Sequence, residues 1–262
     1  MIAEWVRALV LITLTTDFRG HYLGIMKGVI KSRSPAAEVV ELSSEVEPFD
    51  VKGAAFVLYS SYRYFPRGTI HVAVVDPGVG SARKAIAVRS KNYTFIGPDN
   101  GVLMPASKDD GIVEVREITN WSLFLKEVSS TFHGRDIFAP VAAFLASGGR
   151  LEEVGKRLKK FEEIEFFKEI GDDGAVACEV IFVDRFGNLT LSIKKEDTKL
   201  DEVEIKAGDR TYRARRTGTY ADGEGLLLIV GSAGFYELAV KNGSASELIR
   251  ALVGDRITIN RT

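Results

Sequence analysis

An aspartate and an arginine separated by a glycine-containing turn are the first candidates for chemistry in this sequence of 262 residues. Asp76 follows the apolar run Ile70–Val75 and begins the segment Asp-Pro-Gly-Val-Gly-Ser-Ala-Arg, which ends at Arg83. Two glycines separated by one residue resemble a dinucleotide-binding loop, but Arg83 replaces the third glycine and Asp76 would repel a pyrophosphate. We interpret the segment as a tight turn that returns Arg83 to Asp76, where a guanidinium can bind a carboxylate bidentately. A purely structural ion pair is the alternative.

His133 is the second candidate, because imidazole is the usual proton acceptor at neutral pH. It precedes a glycine, which permits close approach, and the charged pair Arg135-Asp136. The alternative is a loop histidine with ordinary hydrogen bonds. His21 lies in a polar turn and His71 lies inside an apolar strand, so both are weaker candidates. Three histidines without metal-ligand spacing predict no zinc site, and we expect no metal.

Polar residues also follow several apolar runs that are typical of strands. One carboxylate after a strand is most often a turn or a helix cap. If the strands are parallel, however, their carboxyl ends share one edge of the sheet, where ligands bind. The residues concerned are Asp17 after Ala8–Thr16, Ser60-Ser61-Tyr62 after Ala54–Tyr59, Asp76 after Ile70–Val75, and Asp99-Asn100 after Tyr93–Ile96.

Two small-residue turns stand out in the second half of the chain. Asp184 and Asn188 flank the turn Asp-Arg-Phe-Gly-Asn, and a second loop runs from Gly231 through Ser232 to Glu237. Taken on its own, each is most simply an ordinary hairpin.

The elements that position these residues differ between the two halves of the chain. Continuous apolar runs in the first half predict strands buried on both faces, as in a parallel sheet with crossover helices. The predicted strands there are Ala8–Thr15, Glu38–Leu42, Ala54–Tyr59, Ile70–Val75, Ala85–Arg89 and Tyr93–Ile96. The predicted helices are Tyr22–Ser32, Asp136–Ala146 and Leu151–Phe167.

After residue 170 short strands alternate with turns, which is typical of a small antiparallel barrel or sandwich. These strands are Ala177–Val183, Leu189–Ile193, Val203–Lys206, Thr211–Arg215, Gly225–Val230, Tyr236–Val240 and Ile257–Ile259. We predict an α/β domain over residues 1–170, with a mainly parallel sheet covered by helices. A smaller all-β antiparallel barrel should follow over residues 171–262.

Composition restricts the classes of function. The 35 basic and 36 acidic residues give a net charge of −1, so no nucleic-acid partner is expected. Cys178 is the single cysteine, which excludes an intrachain disulfide. The apolar opening Trp5–Leu14 is interrupted by Arg7 and fits a signal peptide poorly, and no apolar run is long enough to cross a bilayer. We expect a cytoplasmic protein without a membrane partner.

Together these segments resemble one family, the S-adenosyl-L-methionine hydroxide adenosyltransferases, which are relatives of fluorinase and chlorinase. The resemblance spans nearly the whole chain in order, and no single motif carries it. The matching segments are Thr15-Thr16-Asp17-Phe18, Met26-Lys27-Gly28-Val29-Ile30, Val75 to Gly80, Gly97-Pro98-Asp99-Asn100-Gly101, His133-Gly134-Arg135-Asp136, Asp184 to Asn188, and Ser232-Ala233-Gly234-Phe235.

The resemblance implies an α/β domain, a β-barrel and a homotrimer whose active sites lie between the first domain of one subunit and the second domain of its neighbour. Water would attack C5′ of the ribose and release methionine, giving adenosine and L-methionine without a cofactor. The family's catalytic Asp, Arg and His fall on Asp76, Arg83 and His133. Whether Asp76 or His133 is the general base stays open.

The resemblance also implies substrate-binding residues. Asp17 corresponds to the ligand of the ribose hydroxyls, Asp184 to the ligand of the methionine ammonium, and Asn188 to an adenine contact. Ser232 matches a contact with the methionine carboxylate, and Tyr236 and Glu237 belong to the same segment. The remaining positions are Val240 and Asn242 at the adenine edge, and Phe65, Pro66 and Phe132 in an apolar wall around the ribose and the sulfonium.

Several positions depart from the family pattern. Asp17-Phe18 is followed by Arg19-Gly20-His21-Tyr22, so the loop over the ribose differs. The halogenases carry an arginine and a halide-contacting serine where this chain has Ala233 and Gly134, which disfavours halide transfer. Three functions remain open. The first is hydrolysis of S-adenosylmethionine, with either sulfonium epimer, including the (R) form, as the substrate. The others are halide-dependent adenosyl transfer and nucleoside binding without turnover.

Overall fold

The computed structural model describes residues 10–43 and 46–262 and divides the chain into two units, Met1–Ile164 and Glu165–Thr262. The first two residues of the predicted first strand, Ala8–Thr15, therefore lie outside the described part, and so does the first half of the apolar opening Trp5–Leu14. None of the helices in the described part of the chain has the length and apolar character that a membrane span requires.

The first unit is built on a six-stranded mixed sheet with the order β2-β1-β3-β5-β4-β6. Strands β2, β1, β3 and β5 are parallel, whereas β4 is antiparallel to β5 and β6. The predicted α/β class is confirmed, and residues of β1 and β3 are buried on both faces. The strands are β1 Leu11–Thr16, β2 Glu38–Ser43, β3 Ile70–Val74, β4 Ala85–Ser90, β5 Thr94–Pro98 and β6 Ile112–Glu117.

Helices cover this sheet, and one pair packs beside the candidate residues. Leu23, Met26 and Ile30 of the first helix pack with the fourth helix in a core that includes Ile12 and Val72 of the sheet. The helices of this unit are α1 His21–Arg33, α2 Val51–Ser61, α3 Met104–Asp110 and α4 Ala139–Ala146. A π-helical turn, Gly134–Phe138, leads into α4, and single 3₁₀ turns cover Tyr62–Tyr64, Trp121–Leu123 and Leu151–Val154.

The predicted strand Ala54–Tyr59 is wrong, because this segment is the middle of helix α2. The carboxylate of Asp50 accepts a hydrogen bond of 2.8 Å from the backbone N–H of Gly53 and caps the helix. A short continuous apolar run does not distinguish a buried strand from a buried helix. Ser60-Ser61-Tyr62 therefore lie at the end of a helix and not at the end of a strand.

The predicted helix Leu151–Phe167 is also wrong beyond its first turn, Leu151–Val154. The following backbone pairs with the edge strand β6 instead: the N–H of Glu117 donates to the carbonyl of Lys156 at 2.9 Å, and the N–H of Leu158 donates to the carbonyl of Val115 at 2.8 Å. These bonds with a strand replace the bonds that a helix would make.

The second unit is a β-barrel. Its strands follow the order β14-β10-β11-β12-β13-β9-β8-β7, and pairing of β14 with β8 closes a ring of seven strands. All its strand pairings are antiparallel except β11 with β12, so the predicted barrel is confirmed. The elements are β7 Lys168–Ile170, β8 Val176–Val183, β9 Leu189–Lys194, β10 Glu202–Ala207, β11 Arg210–Arg216, β12 Leu226–Val230, β13 Phe235–Val240, α5 Ala245–Ile249 and β14 Arg256–Arg261.

Candidate active site

A cleft in the first unit lies at the carboxyl ends of β1 and β3. These parallel neighbours are in register, with Thr16 opposite Val74, so the residues that follow them lie side by side. Asp17, Asp76 and His133 all line the cleft, whose volume is about 260 Å³. The structure thus brings together the ribose candidate and two of the three catalytic candidates.

Arg83 joins the other two catalytic candidates. Its Nε lies 3.0 Å from both carboxylate oxygens of Asp76, and its Nη2 also donates to Oδ2 of Asp76. The same Nη2 lies 2.7 Å from Nδ1 of His133. The side chains of Asp76 and Arg83 are only 6% and 11% exposed. The three side chains therefore form a connected, largely buried group with Arg83 in the middle.

The contact between Arg83 and His133 defines the state of the imidazole. A guanidinium has donors only, so Nδ1 of His133 accepts the hydrogen bond and the ring proton resides on Nε2. Burial lowers the pKa of His133, and the positive charge of Arg83 lowers it further, against the opposing effect of Asp76. His133 is therefore neutral at neutral pH, with one nitrogen committed to Arg83.

Gly80 allows the Asp76–Arg83 turn to approach the loop before His133. Its φ is +78°, which disfavours any side chain. A Cβ at this position would also lie 2.3 Å from the carbonyl oxygen of Ser130. A glycine is thus required at Gly80 both by the backbone conformation and by the close contact between the two loops.

Aromatic side chains form one side of the cleft. The ring of Phe132 lies 5.7 Å from that of Phe18 and 5.3 Å from that of Tyr22, both in edge-to-face geometry. Phe49 also lines the cleft, is 71% exposed, and has a φ of +68°. Its N–H donates to Oδ2 of Asp17 at 2.9 Å. Sequence reasoning missed Tyr22 and Phe49. The four-residue spacing of Phe18 and Tyr22 is the one signal that indicates a shared face.

Two candidates for the apolar wall, Phe65 and Pro66, do not line this cleft. The hydroxyl of Tyr93 donates to the carbonyl of Phe65 at 3.0 Å, and the rings of Phe65 and His71 are 5.6 Å apart. Phe65 therefore packs near the start of β3, whereas Asp76 follows the end of that strand.

Asp99 and Asn100 follow β5 but support the fold. The carboxylate of Asp99 accepts the N–H of Glu162 at 2.9 Å, and burial raises its pKa. The side-chain amide of Asn100 donates to the carbonyl of Val75 at 2.9 Å. Of the polar groups expected at this edge, Asp17 and Asp76 line the cleft, and Asp99 and Asn100 anchor neighbouring backbone.

The second unit contains a separate hollow of about 1020 Å³, lined by Asp184, Asn188, Val240, Asn242 and Tyr220 among others. Asp184 accepts three hydrogen bonds within its own turn: from the N–H of Phe186 at 2.8 Å, and from the N–H and the side-chain amide of Asn188, each at 2.9 Å. The turn is thus the ordinary hairpin that the sequence predicts, and its residues also line a concave surface.

The three candidates of the loop at Gly231 have different surroundings. Tyr236 is 1% exposed, and its hydroxyl bonds to the backbone of Leu200 and Thr198, so it belongs to the barrel core. Glu237 accepts a hydrogen bond of 2.9 Å from the hydroxyl of Tyr220, and burial raises its pKa. Ser232 lies in the turn between β12 and β13 and does not line the hollow.

No group of three or more His, Cys, Asp and Glu side chains within residues 10–43 and 46–262 is arranged to hold a metal ion.

Comparison with known proteins agrees with the two units. Residues 12–155 match the model of the SAM hydroxide adenosyltransferase N-terminal domain, and residues 178–258 match that of the C-terminal domain. An (R)-S-adenosyl-L-methionine hydrolase from Salinispora arenicola is 37% identical over 254 residues, covering 95% of this chain and 97% of that protein. A fluorinase from an Actinoplanes species is 26% identical over 81% of this chain and 84% of its own. A crystal structure of an uncharacterised conserved protein from Thermotoga maritima superposes with a TM-score of 0.88 at 41% identity, covering 95% of this chain and 100% of that one.

Proposed function

Because the chain belongs to the SAM hydroxide adenosyltransferase family, we propose that it is an enzyme that hydrolyses S-adenosylmethionine to adenosine and L-methionine. The observation that carries the proposal is the buried Asp76–Arg83–His133 group in a cleft that also contains Asp17. The relative from Salinispora arenicola is named for the (R) epimer, so the (R)-sulfonium is the proposed substrate.

The reaction needs a well-placed water more than a strong base. The water oxygen forms a bond to C5′ while the bond from C5′ to sulfur breaks, and the bonding pair leaves with sulfur as the neutral thioether of methionine. No acid is needed at the leaving group, because the sulfonium becomes uncharged on leaving. Alignment of water, C5′ and sulfur accelerates the reaction by removing an orientational cost.

Asp76 is the proposed proton acceptor. Because Nδ1 of His133 accepts from Arg83, the ring proton lies on Nε2. That nitrogen is a donor, so it can orient the water through the oxygen but does not take its proton. The oxygen becomes strongly acidic as it bonds to C5′, so the carboxylate of Asp76 is basic enough to accept the proton even while paired with Arg83.

Asp17 is the proposed ligand of the two ribose hydroxyls. Its carboxylate lines the cleft and accepts the N–H of Phe49 at 2.9 Å. A carboxylate has capacity for several donors, so it can accept the ribose hydroxyls beside this amide. The rings of Phe18, Tyr22 and Phe132 provide aromatic faces that suit a sulfonium cation.

The hollow of the second unit is the proposed site for the rest of the substrate, contributed by a neighbouring copy in a homotrimer. Asp184 would bind the methionine ammonium, and Asn188, Val240 and Asn242 would contact adenine. Two observations support this division of the site: Asp76 and His133 line the cleft of the first unit, and Asp184 and Asn188 line the hollow of the second. No metal or redox cofactor is needed for this displacement. A cytoplasmic location is proposed, where the single Cys178 stays reduced.

The test is to incubate the protein with each S-adenosylmethionine epimer separately and to follow adenosine by chromatography, with and without chloride. We expect adenosine from the (R) epimer, independent of chloride, and a loss of at least a hundredfold in kcat for Asp76→Asn. Chloride-dependent formation of a chlorinated nucleoside would instead establish a halide transferase. Adenosine binding without turnover of either epimer would leave only a nucleoside-binding module.

A further inference from the structure

The loop that carries His133 is held in place by a buried carboxylate that does not line the cleft. Asp136 is 0% exposed and lies three residues after His133, inside the π-helical turn Gly134–Phe138. Its Oδ2 accepts the N–H of Ser129 at 2.8 Å and the hydroxyl of Ser129 at 2.9 Å. Arg135 donates to the same carboxylate through Nε at 2.5 Å and Nη2 at 3.0 Å.

These contacts extend to the residues beside the reaction group. The hydroxyl oxygen of Ser129 accepts the N–H of Phe132 at 3.0 Å, and the backbone carbonyl of Asp136 accepts the N–H of Leu125 at 3.0 Å. The guanidinium of Arg135 also lies 5.4 Å from the centre of the Phe132 ring. The carboxylate of Asp136 therefore fixes Ser129, and Ser129 in turn fixes Phe132, the residue directly before His133.

The carboxylate is held in its charged form. Burial raises the pKa of Asp136, but the hydrogen bonds from Arg135 and Ser129 outweigh burial, and the net pKa lies below its ordinary value. A charged group in the interior needs every one of these donors. Its position is therefore tightly defined, and so is the loop attached to it.

We propose that Asp136 is a positioning residue of the reaction, which acts through Ser129 and the loop to hold Nδ1 of His133 against Nη2 of Arg83. The proposal rests on the hydrolase function proposed above. Displacement of His133 by about 1 Å would misalign the water, and an error of that size can cost about a hundredfold in rate. It would also free Nδ1 from Arg83, so that the ring proton could move between its two nitrogens.

The test combines kinetics with ¹⁵N spectra of the histidine rings, in which His21 and His71 serve as internal references. For Asp136→Ala we expect kcat to fall about a hundredfold with KM changed less than threefold. The Nε2–H tautomer of His133 should give way to a mixture of both tautomers. Asp136→Asn retains an acceptor for Ser129, so its kcat should be at least about tenfold higher than that of Asp136→Ala. Ser129→Ala, which removes the hydroxyl alone, should give an intermediate loss.

Asp110→Ala is the matched control. Asp110 is another buried carboxylate of this unit and accepts two hydrogen bonds from Asn92. Burial raises its pKa, but hydrogen bonds from Ser90 and Asn92 lower it by more, so that the net pKa is lowered as it is for Asp136. Its replacement should lower thermal stability but leave kcat within twofold and the His133 tautomer unchanged.

The proposal is overturned if Asp136→Ala keeps kcat within twofold, or if kcat falls while the folded variant retains the parent His133 tautomer. If Asp136→Ala does not fold, Asp136→Asn and Ser129→Ala decide by the same criteria. Failure of the parent protein to turn over either epimer would defeat the hydrolase function. The ring spectra would still show whether Asp136 positions His133.

Discussion

Nη2 of Arg83 lies 2.7 Å from Nδ1 of His133 while the same guanidinium is paired with the carboxylate of Asp76. This contact makes the imidazole an acceptor toward Arg83 and a donor at its other nitrogen. It separates the roles of two residues that sequence alone left interchangeable, because only Asp76 keeps a group that can take a proton from water.

The first prediction concerns pH. Because burial and Arg83 lower the pKa of His133, the decline of kcat/KM at acid pH (the acid limb of the pH profile) should have its midpoint below pH 6.5. Protonation of Nδ1 would place a proton against the Nη2 donor of Arg83 and break the contact. Arg83→Gln removes the positive charge, so the limb should move toward higher pH while kcat falls about a hundredfold or more. A limb that does not move would show that His133 does not control it.

Asp17 is predicted to govern nucleoside affinity. Loss of hydrogen bonds to a charged acceptor costs about 1.5–3 kcal/mol, so Asp17→Ala should weaken adenosine binding by about tenfold to a hundredfold in titration calorimetry. Glu38→Gln, at the amino end of the neighbouring strand β2, is the control and should leave the affinity unchanged. Equal affinities for the Asp17 variant and the parent would place the ribose elsewhere.

Gly134 is predicted to exclude side chains from the cleft. A Cβ there would lie 3.0 Å from the sulfur of Met26 and 3.2 Å from the ring of Phe132, so either neighbour would have to move. Gly134→Ser should therefore reduce adenosine formation without producing a halogenated nucleoside in chloride. Gly28→Ala in α1, where a Cβ meets no atom within 4 Å, is the control and should retain activity and raise the melting temperature slightly. Chloride-dependent turnover by Gly134→Ser would contradict this prediction.

His71 is predicted to make the fold sensitive to acid. Burial lowers its pKa from 6.5 to about 3, so the unfolded chain binds a proton more tightly than the folded protein does. The stability is present above pH 6.5 and is lost as the pH falls toward 3. Between pH 7 and pH 5 the loss from this one residue should be about 2 kcal/mol.

Urea unfolding at the two pH values measures this loss. His71→Phe keeps an aromatic ring among Tyr62, Tyr93 and Phe95 and removes the titration, so its stability should decline less with acid than that of the parent. His21→Phe should leave the decline unaltered. Identical pH dependence for His71→Phe and the parent would refute the assignment.

The sequence by itself determined much of the sheet and the barrel. Runs such as Ile70–Val75 and Ala85–Arg89 are rich in β-branched and apolar residues between turn signals, and they form strands β3 and β4 within one residue of the predicted limits. The glycine turn after Asp76 also predicted the return of Arg83, because this pairing depends on residues only seven positions apart.

Only the tertiary structure decided the conformation of segments whose local sequence is ambiguous and the long-range contacts of the site. The apolar run Ala54–Tyr59 lies in helix α2, which packs against α3 and β1. Residues after Val154 pair with the edge strand β6 and do not continue a helix. The contact between Arg83 and His133 joins residues that are 50 positions apart in the sequence, and the hydrogen bond from the N–H of Phe49 to Asp17 joins residues 32 positions apart. Such contacts depend on strand order and loop packing, which residue types and spacing do not encode locally.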